Sequence, residues 1–414
     1  MNPTLIRGAR LPDWVALDAA HRSTTEAPPM SAAPLVDLRF VDGRIESIRP
    51  VVLGQPRLDA LPGDNVLQGG MITPPIAEPH THLDAALLGE RAPNRSGTLT
   101  EGIANWARLR DDLTAEDVRE RALRCIQMYV EGGTFRIRTH ADTGNLTAVQ
   151  ALLDLRQEVS EQGIELQVTA FPQEGILRAK GRQKDWEQAV ALGCDAVGAI
   201  PHFERTTEEG WRTVRMTFDL AEKHGCAVDM HCDESDDPGS RNLDVVCAEA
   251  LDRGWGERVI AGHCTSLHSQ PNPHAAKVIQ LVVDSGITIV TNPLDNIVLQ
   301  GRFDSYPRRR GHTRVDELWA AGARVGIGHD SVMDPWYRLG TGHMVDAAHM
   351  LLHYAHLTSE AGMHRCFRAL IVANHAPFGG PPPIVEGAVG PVLWWAQDDP
   401  VEVLRLRALP TALR

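Results

Sequence analysis

Several things this chain does not have limit what it can be. It has no apolar run long enough to cross a bilayer and no basic-then-apolar leader at its start, so neither a membrane anchor nor a secretory signal is expected. It lacks a positive balance as well: 41 Lys and Arg against 54 Asp and Glu give a formal net charge of −13. Binding a nucleic-acid polymer needs clustered cations that release counterions, so that class of partner is argued against. Seven cysteines, at 125, 194, 226, 232, 247, 264 and 366, are odd in number and form no C-x-x-C pair. Reduced thiols in the cytoplasm are the economical reading. No internal repeat is detectable.

What is present is a 414-residue chain, 43% hydrophobic and 23% charged, the balance of a soluble globular protein. The first seventy residues read as β-like, in Thr4–Ala9 and Val36–Ile45, with a Pro- and Ala-rich insert, Ala27 to Pro34, looping between them. From Met71 onward, apolar runs alternate with helix-length segments. The runs are 71–80, Phe135–His140, Leu166–Gln173, Val197–His202, Val228–His231, Val259–His263, Thr288–Asn292 and Val325–Asp330. Near-continuous apolar strands alternating with helices indicate a parallel sheet covered on both faces, and eight such units close into a (β/α)8 barrel. Thr114-Ala115-Glu116-Asp117 reads as a capped helix start, with Gly132-Gly133 as its stop. Gly387 to Trp395 and Val401 to Leu406 read as strands again. The expected fold is therefore α/β: a TIM barrel over 71–375, with a small β domain built from both termini, 1–70 and 376–414.

Function in such a barrel sits at the C-terminal ends of the strands. The most informative run, Pro74-Pro75-Ile76-Ala77-Glu78-Pro79-His80-Thr81-His82-Leu83-Asp84, ends in His-x-His. That spacing sets two imidazoles on the same side of a period-two backbone, where both can reach one metal ion. The other runs end on His140, Gln173, His202, His231, His263, Asn292 and Asp330. Every strand end thus offers a polar, ligand-capable side chain, whereas a purely structural barrel needs only turn chemistry there.

At these residues a resemblance appears. The stretches Glu78–Asp84, Ser96–Ile103, Ala170–Ile176, Gly198–Glu204, His231–Glu234, Leu299–Asp304 and Gly328–Tyr337 resemble the bacterial cytosine deaminases of the amidohydrolase superfamily, from about Met71 to Met344. The resemblance implies that His80, His82, His231 and Asp330 hold one divalent metal ion per chain, Zn2+ or Fe2+. Such a set leaves a position for a water of lowered pKa. It implies further that His263 orients or deprotonates that water and that Glu234 moves a proton to the ring nitrogen beside the attacked carbon. Asp330 and His263 then manage the proton that leaves with ammonia. The resemblance also implies that Gln173 reads the carbonyl and N–H edge of the ring and that the chain forms a homo-oligomer, and Trp336 is expected to line the pocket. His140 and His202 are expected to support or pack. Asp233, Asp236 and Asp237 are left as supporting or surface acids beside Glu234.

Binuclear members of the superfamily bridge two metals through a lysine on the fourth strand, and Ala196 to His202 contains none. The unrelated zinc deaminase signature with Pro-Cys-x-x-Cys is also missing. Two departures stand out. The family shows two consecutive aspartates after the eighth strand, whereas here Asp330 is followed by Ser331. The chain also stops at Arg414, soon after Leu409-Pro410-Thr411, where relatives continue into a further strand hairpin. The expected activity is metal-dependent hydrolytic deamination of a cytosine-like free base, with Ser331 admitting a C5 substituent and 5-methylcytosine favoured. The rivals are deamination of isocytosine, creatinine or an aminotriazine, and amide-bond hydrolysis.

Overall fold

The computed structural model describes residues 3–12, 14 and 33–414; the expected insert over 27–34 lies outside these up to residue 32. Strands β1 (Thr4–Arg10), β2 (Leu35–Val41), β3 (Arg44–Pro50), β4 (Asn65–Gln68) and β5 (Met71–Thr73) come first. The segment read as one β-like stretch, Val36–Ile45, is a hairpin. Asp42 and Gly43 both have positive φ, 46° and 75°, and turn the chain tightly between β2 and β3.

The barrel follows as β6 (Ile76–Thr81), β7 (Thr134–Asp142), β8 (Glu165–Phe171), β9 (Ala196–Val197), β10 (Ala227–Cys232), β11 (Val259–His263), β12 (Thr288–Thr291) and β13 (Arg324–Ile327). These eight are parallel and pair in sequence order. In β11 and β12 every residue is buried, as expected of strands covered by helices on one side and packed against the barrel axis on the other. The helix Ala115–Glu131 shows how the outer layer is specified. Thr114 caps it by accepting from Asp117 N, Gly132 ends it, and Val118, Ala122, Cys125, Ile126 and Tyr129 form its buried face.

The chain ends in β14 (Val392–Trp395) and β15 (Thr411–Leu413). β14 pairs antiparallel with β5 and with β15, so both ends of the chain share one seven-stranded sheet. Three expectations need correction. The run 71–80 is two strands: Pro74 and Pro75 lack the N–H a ladder needs, so Met71–Thr73 joins the terminal sheet and the barrel begins at Ile76. The fourth strand is two residues long, because Pro201 starts a 3-10 turn over Pro201–Phe203. Val401–Leu406 is not a strand but most of the helix Pro400–Leu406, which is set by Pro400 at its first position and by the Asp399 side chain accepting from Val401 N. No helix among the described residues is long and apolar enough to cross a membrane.

Closure of the barrel occurs at the seam between β6 and the chain following β13. Asp330 N donates to His80 O at 3.0 Å, Thr81 Oγ1 donates to Asp330 O at 2.7 Å, and Thr81 bridges Asp330 in parallel register. Beneath this, the fully buried Glu78 accepts His80 N on Oε1 (2.8 Å) and His329 N on Oε2 (2.9 Å). Glu78→Ala therefore leaves two buried amides without acceptors. At about 1–3 kcal/mol each, the variant should be about 2–6 kcal/mol less stable in denaturant unfolding. Glu78→Gln, which keeps one carbonyl acceptor, should lose less. Parent-like stability of the alanine variant would show that the seam does not depend on this carboxyl.

Candidate active site

Backbone geometry at the strand ends aims side chains inward. His263, the last residue of β11, has φ 66°, Asp330 has φ 69°, and Asp233 just after β10 has φ 52°, a region few non-glycine residues occupy outside functional sites. Space for the rings comes from glycine. A Cβ on Gly262 would lie 2.8 Å from His80 Cε1, and one on Gly102 would lie 2.4 Å from the Trp336 indole.

His80, His82, His231 and Asp330 converge as expected, all buried. His82 Nε2 lies 3.1 Å from His231 Nε2. Asp330 Oδ1 lies 3.4 Å from His82 Nε2 and 3.7 Å from His80 Nε2. Donor atoms on edges of a tetrahedron around an ion at about 2.0–2.1 Å stand roughly 3.3 Å apart, so this set fits a single divalent ion. Both ring nitrogens of His80 and Nδ1 of His231 are buried without a hydrogen-bond partner, which a fold tolerates poorly unless a ligand satisfies them. Burial, followed by the neighbouring imidazoles, holds His80 and His231 well below the usual histidine range, leaving the neutral rings that metals bind. His140 is closer than the sequence indicated: it groups with His80 and His231, their ring nitrogens all within 4.8 Å. It also sits 3.6 Å from Asp229 Oδ1.

Glu234 and His263 form the second half of the site. His263 Nδ1 is 3.5 Å from Glu234 Oε1, and His263 Nε2 is 3.9 Å from Asp330 Oδ2. Asn296 Nδ2 donates to Glu234 Oε1 at 3.4 Å and lies 3.1 Å from His263 Nδ1. Asn292 Nδ2 lies 3.2 Å from His263 Nε2. Burial first, then the Asp330 and Asp295 carboxyls, pushes Glu234 well above the usual carboxylate range. Burial lowers His263 well below its own. Both shifts favour the uncharged form of each group. Asp233, left open by the sequence, holds the backbone in place, accepting Asn242 N, Asn242 Nδ2, Leu243 N and Ser240 Oγ. These bonds anchor the start of the helix Asn242–Arg253 and fix Glu234 beside it.

Gln173, Ser331 and Trp336 line the same pocket as His82, His231, Glu234, His263 and Asp330. Leu99 and Leu299 supply apolar wall, and Trp336 lies over His82 with ring centroids 6.0 Å apart. Sequence reasoning missed Asp295, which also lines this pocket and is buried. Its signal was present, as the one carboxyl in the apolar turn Pro293-Leu294-Asp295-Asn296-Ile297. A larger cavity of about 580 Å³ lies at the other end of the barrel, near Ala227, Ile260 and Arg324, and none of the ligand-capable cluster reaches it.

A buried imidazole–carboxylate cluster at the C-terminal mouth of a parallel eight-stranded barrel defines a class, and the chain belongs to it: residues 67–371 match the amidohydrolase family. Over 99% of its length it is 37% identical to the 5-methylcytosine deaminase of Klebsiella pneumoniae, solved with 5-fluorocytosine, with a TM-score of 0.89 and 96% of that chain covered. It is 28% identical over 369 residues to a pterin deaminase of Rhizobium rhizogenes, covering 86% of this chain and 80% of that one. It is 26% identical over 323 residues to the N-isopropylammelide isopropyl amidohydrolase of a Pseudomonas species, covering 75% and 74%.

The ligand set makes a direct prediction. His80→Ala and Asp330→Ala should each lower bound metal well below one ion per chain by elemental analysis, with far-ultraviolet circular dichroism unchanged. Full occupancy in both variants would remove these residues as ligands.

Proposed function

We propose that this chain is a hydrolytic deaminase of a cytosine-like free base and that it favours 5-methylcytosine, releasing thymine and ammonia. The observation that carries the reading is one pocket in which Glu234, His263 and the ligand-capable His82, His231 and Asp330 face a small uncharged wall at Ser331. The 37% identity to a 5-methylcytosine deaminase over nearly the whole chain supports the same choice.

One divalent ion, Zn2+ or Fe2+, would be held by His80, His82, His231 and Asp330; three imidazoles and a carboxylate suit either. When bound, it supplies the Lewis acidity that generates a nucleophile from water at neutral pH. Gln173 offers both a donor and an acceptor to the ring carbonyl and its neighbouring N–H. Trp336 covers the ring and excludes water. Glu234 carries one proton from the attacking water to the ring nitrogen beside the amino-bearing carbon, which makes that carbon more electrophilic. His263 and Asp330 take the remaining proton of the attacking water and return it to the amine as the C–N bond breaks. One C–O bond forms, one C–N bond breaks, and water plus base becomes oxo-base plus ammonia.

Glu234→Gln keeps shape and loses proton transfer. It should retain metal while ammonia release falls by about 10²- to 10⁴-fold, and activity within tenfold of the parent would take Glu234 out of the mechanism.

The substrate reading is checked by kcat/KM on cytosine, 5-methylcytosine, isocytosine, creatinine and an aminotriazine. One methyl in an apolar niche is worth about 10- to 200-fold, so 5-methylcytosine should lead cytosine within that range. A lead for cytosine would overturn the C5 preference, and ammonia from creatinine or the triazine alone would overturn the pyrimidine reading.

A further inference from the structure

Asp295 is a carboxyl that the mechanism above does not use. It lies in the short helix Pro293–Leu299 that follows β12, is 1% exposed, and lines the pocket beside Ser331, Leu299 and Trp336. The hydroxyl and backbone N–H of Ser331 lie within its reach, the hydroxyl facing Asp334 as well, while Asp295 Oδ1 has no hydrogen-bond partner. Nearby Asp334 also leaves one oxygen, Oδ2, without a partner, but its Oδ1 accepts Trp336 N (2.8 Å) and Tyr337 N (3.0 Å) and it does not line the pocket. Of the three carboxyls gathered here, Asp330 faces the imidazoles, Asp334 lies outside the pocket wall, and Asp295 presents its unpartnered oxygen where the pocket is lined.

A buried acceptor without a donor costs stability unless a ligand supplies the donor. An amidine substrate brings one: its exocyclic amino group carries two N–H bonds, and that nitrogen departs. The product brings the reverse, because the same ring carbon then carries a carbonyl, which only accepts.

Resting on the deaminase reading, we propose that Asp295 is a specificity-determining residue that accepts an N–H of the substrate's leaving amino group and rejects the oxo product. Ser331 then acts twice, leaving room for a C5 substituent and holding the far oxygen of Asp295 so that Oδ1 faces the amine. The chemistry balances without a further reactant. The proton that completes ammonia comes from the attacking water, and Asp295 only receives a hydrogen bond.

The experiment compares the metal-loaded parent with Asp295→Asn in steady state, on 5-methylcytosine as substrate and thymine as product inhibitor. Asparagine keeps the shape and replaces one carboxyl oxygen with an N–H that suits a carbonyl. The variant should lose about 10- to 100-fold in kcat/KM, while thymine inhibits it as tightly as the parent or more tightly. A purely structural role would weaken substrate and thymine together. That parallel loss overturns the assignment, as does kcat/KM within threefold of the parent. Should Asp295→Asn fail to accumulate, Asp295→Ser serves in its place, with the same loss of turnover and unweakened thymine inhibition expected. A parent that releases no ammonia from any pyrimidine overturns the deaminase reading, and this assignment with it. A parent that deaminates beside a fully active Asp295→Asn overturns the assignment alone.

Discussion

The site depends on how the barrel closes. An eight-stranded parallel sheet has two edges until β6 meets the chain after β13, and that junction is made by a few bonds among His80, Thr81, Asp330 and Glu78. The same residues carry two of the candidate ligands. A shift of one residue in this seam would turn His80 and His82 from the interior to the helical layer, since strand side chains alternate. Closure of the fold and assembly of the ligand set are therefore a single event.

That coupling explains why a crowded polar core is tolerated. His80, His82, His140, His231 and His263 share a small volume with Glu78, Glu234, Asp295 and Asp330, all buried. Burial drives the imidazoles towards neutrality and the carboxyls towards protonation, which keeps the desolvation penalty of many charges from accumulating. The apolar strands and the helical layer bury enough surface to carry what cost remains. The seam and the Asp233 anchor then fix positions that the cluster, left alone, would relax by moving apart.

The strands were legible because parallel sheets write themselves as apolar runs, and seven of the eight end within a few residues of the expected point. The imidazole–carboxylate cluster was legible because His80-Thr81-His82, His231 and Asp330 stand at run ends. Local backbone chemistry defeated the rest. Val401–Leu406 alternates like a strand, yet Asp399 and Pro400 start a helix there. Pro74-Pro75 divides a run that hydropathy alone joins. The sequence marks His140 as a residue that supports or packs, and nothing in a single strand reveals that the rings it meets are His80 and His231. Asp295 and Asn296 were hidden for the same reason: their place in the site arises from the segment after β12 folding over β11, a contact between segments some thirty residues apart.

The site divides by origin. The candidate ligands come from the seam and from β10, where backbone bonds on both sides leave little freedom. The groups proposed to read the substrate, Gln173, Asp295, Ser331 and Trp336, come from the segments that follow β8, β12 and β13. A substitution in those segments changes what the pocket accepts while the closure bonds stay in place. Ser331 illustrates the point. Its neighbour Asp330 is held by Thr81 and His80 through the backbone, so the side chain one residue on is free to vary. Exchange of a carboxylate for a hydroxyl there alters the wall of the pocket without altering the seam. The Asp295 carboxyl, reached from a different strand, keeps an acceptor in the same region. A carboxyl absent from one loop is present at another, and the pocket's shape changes more than its polarity.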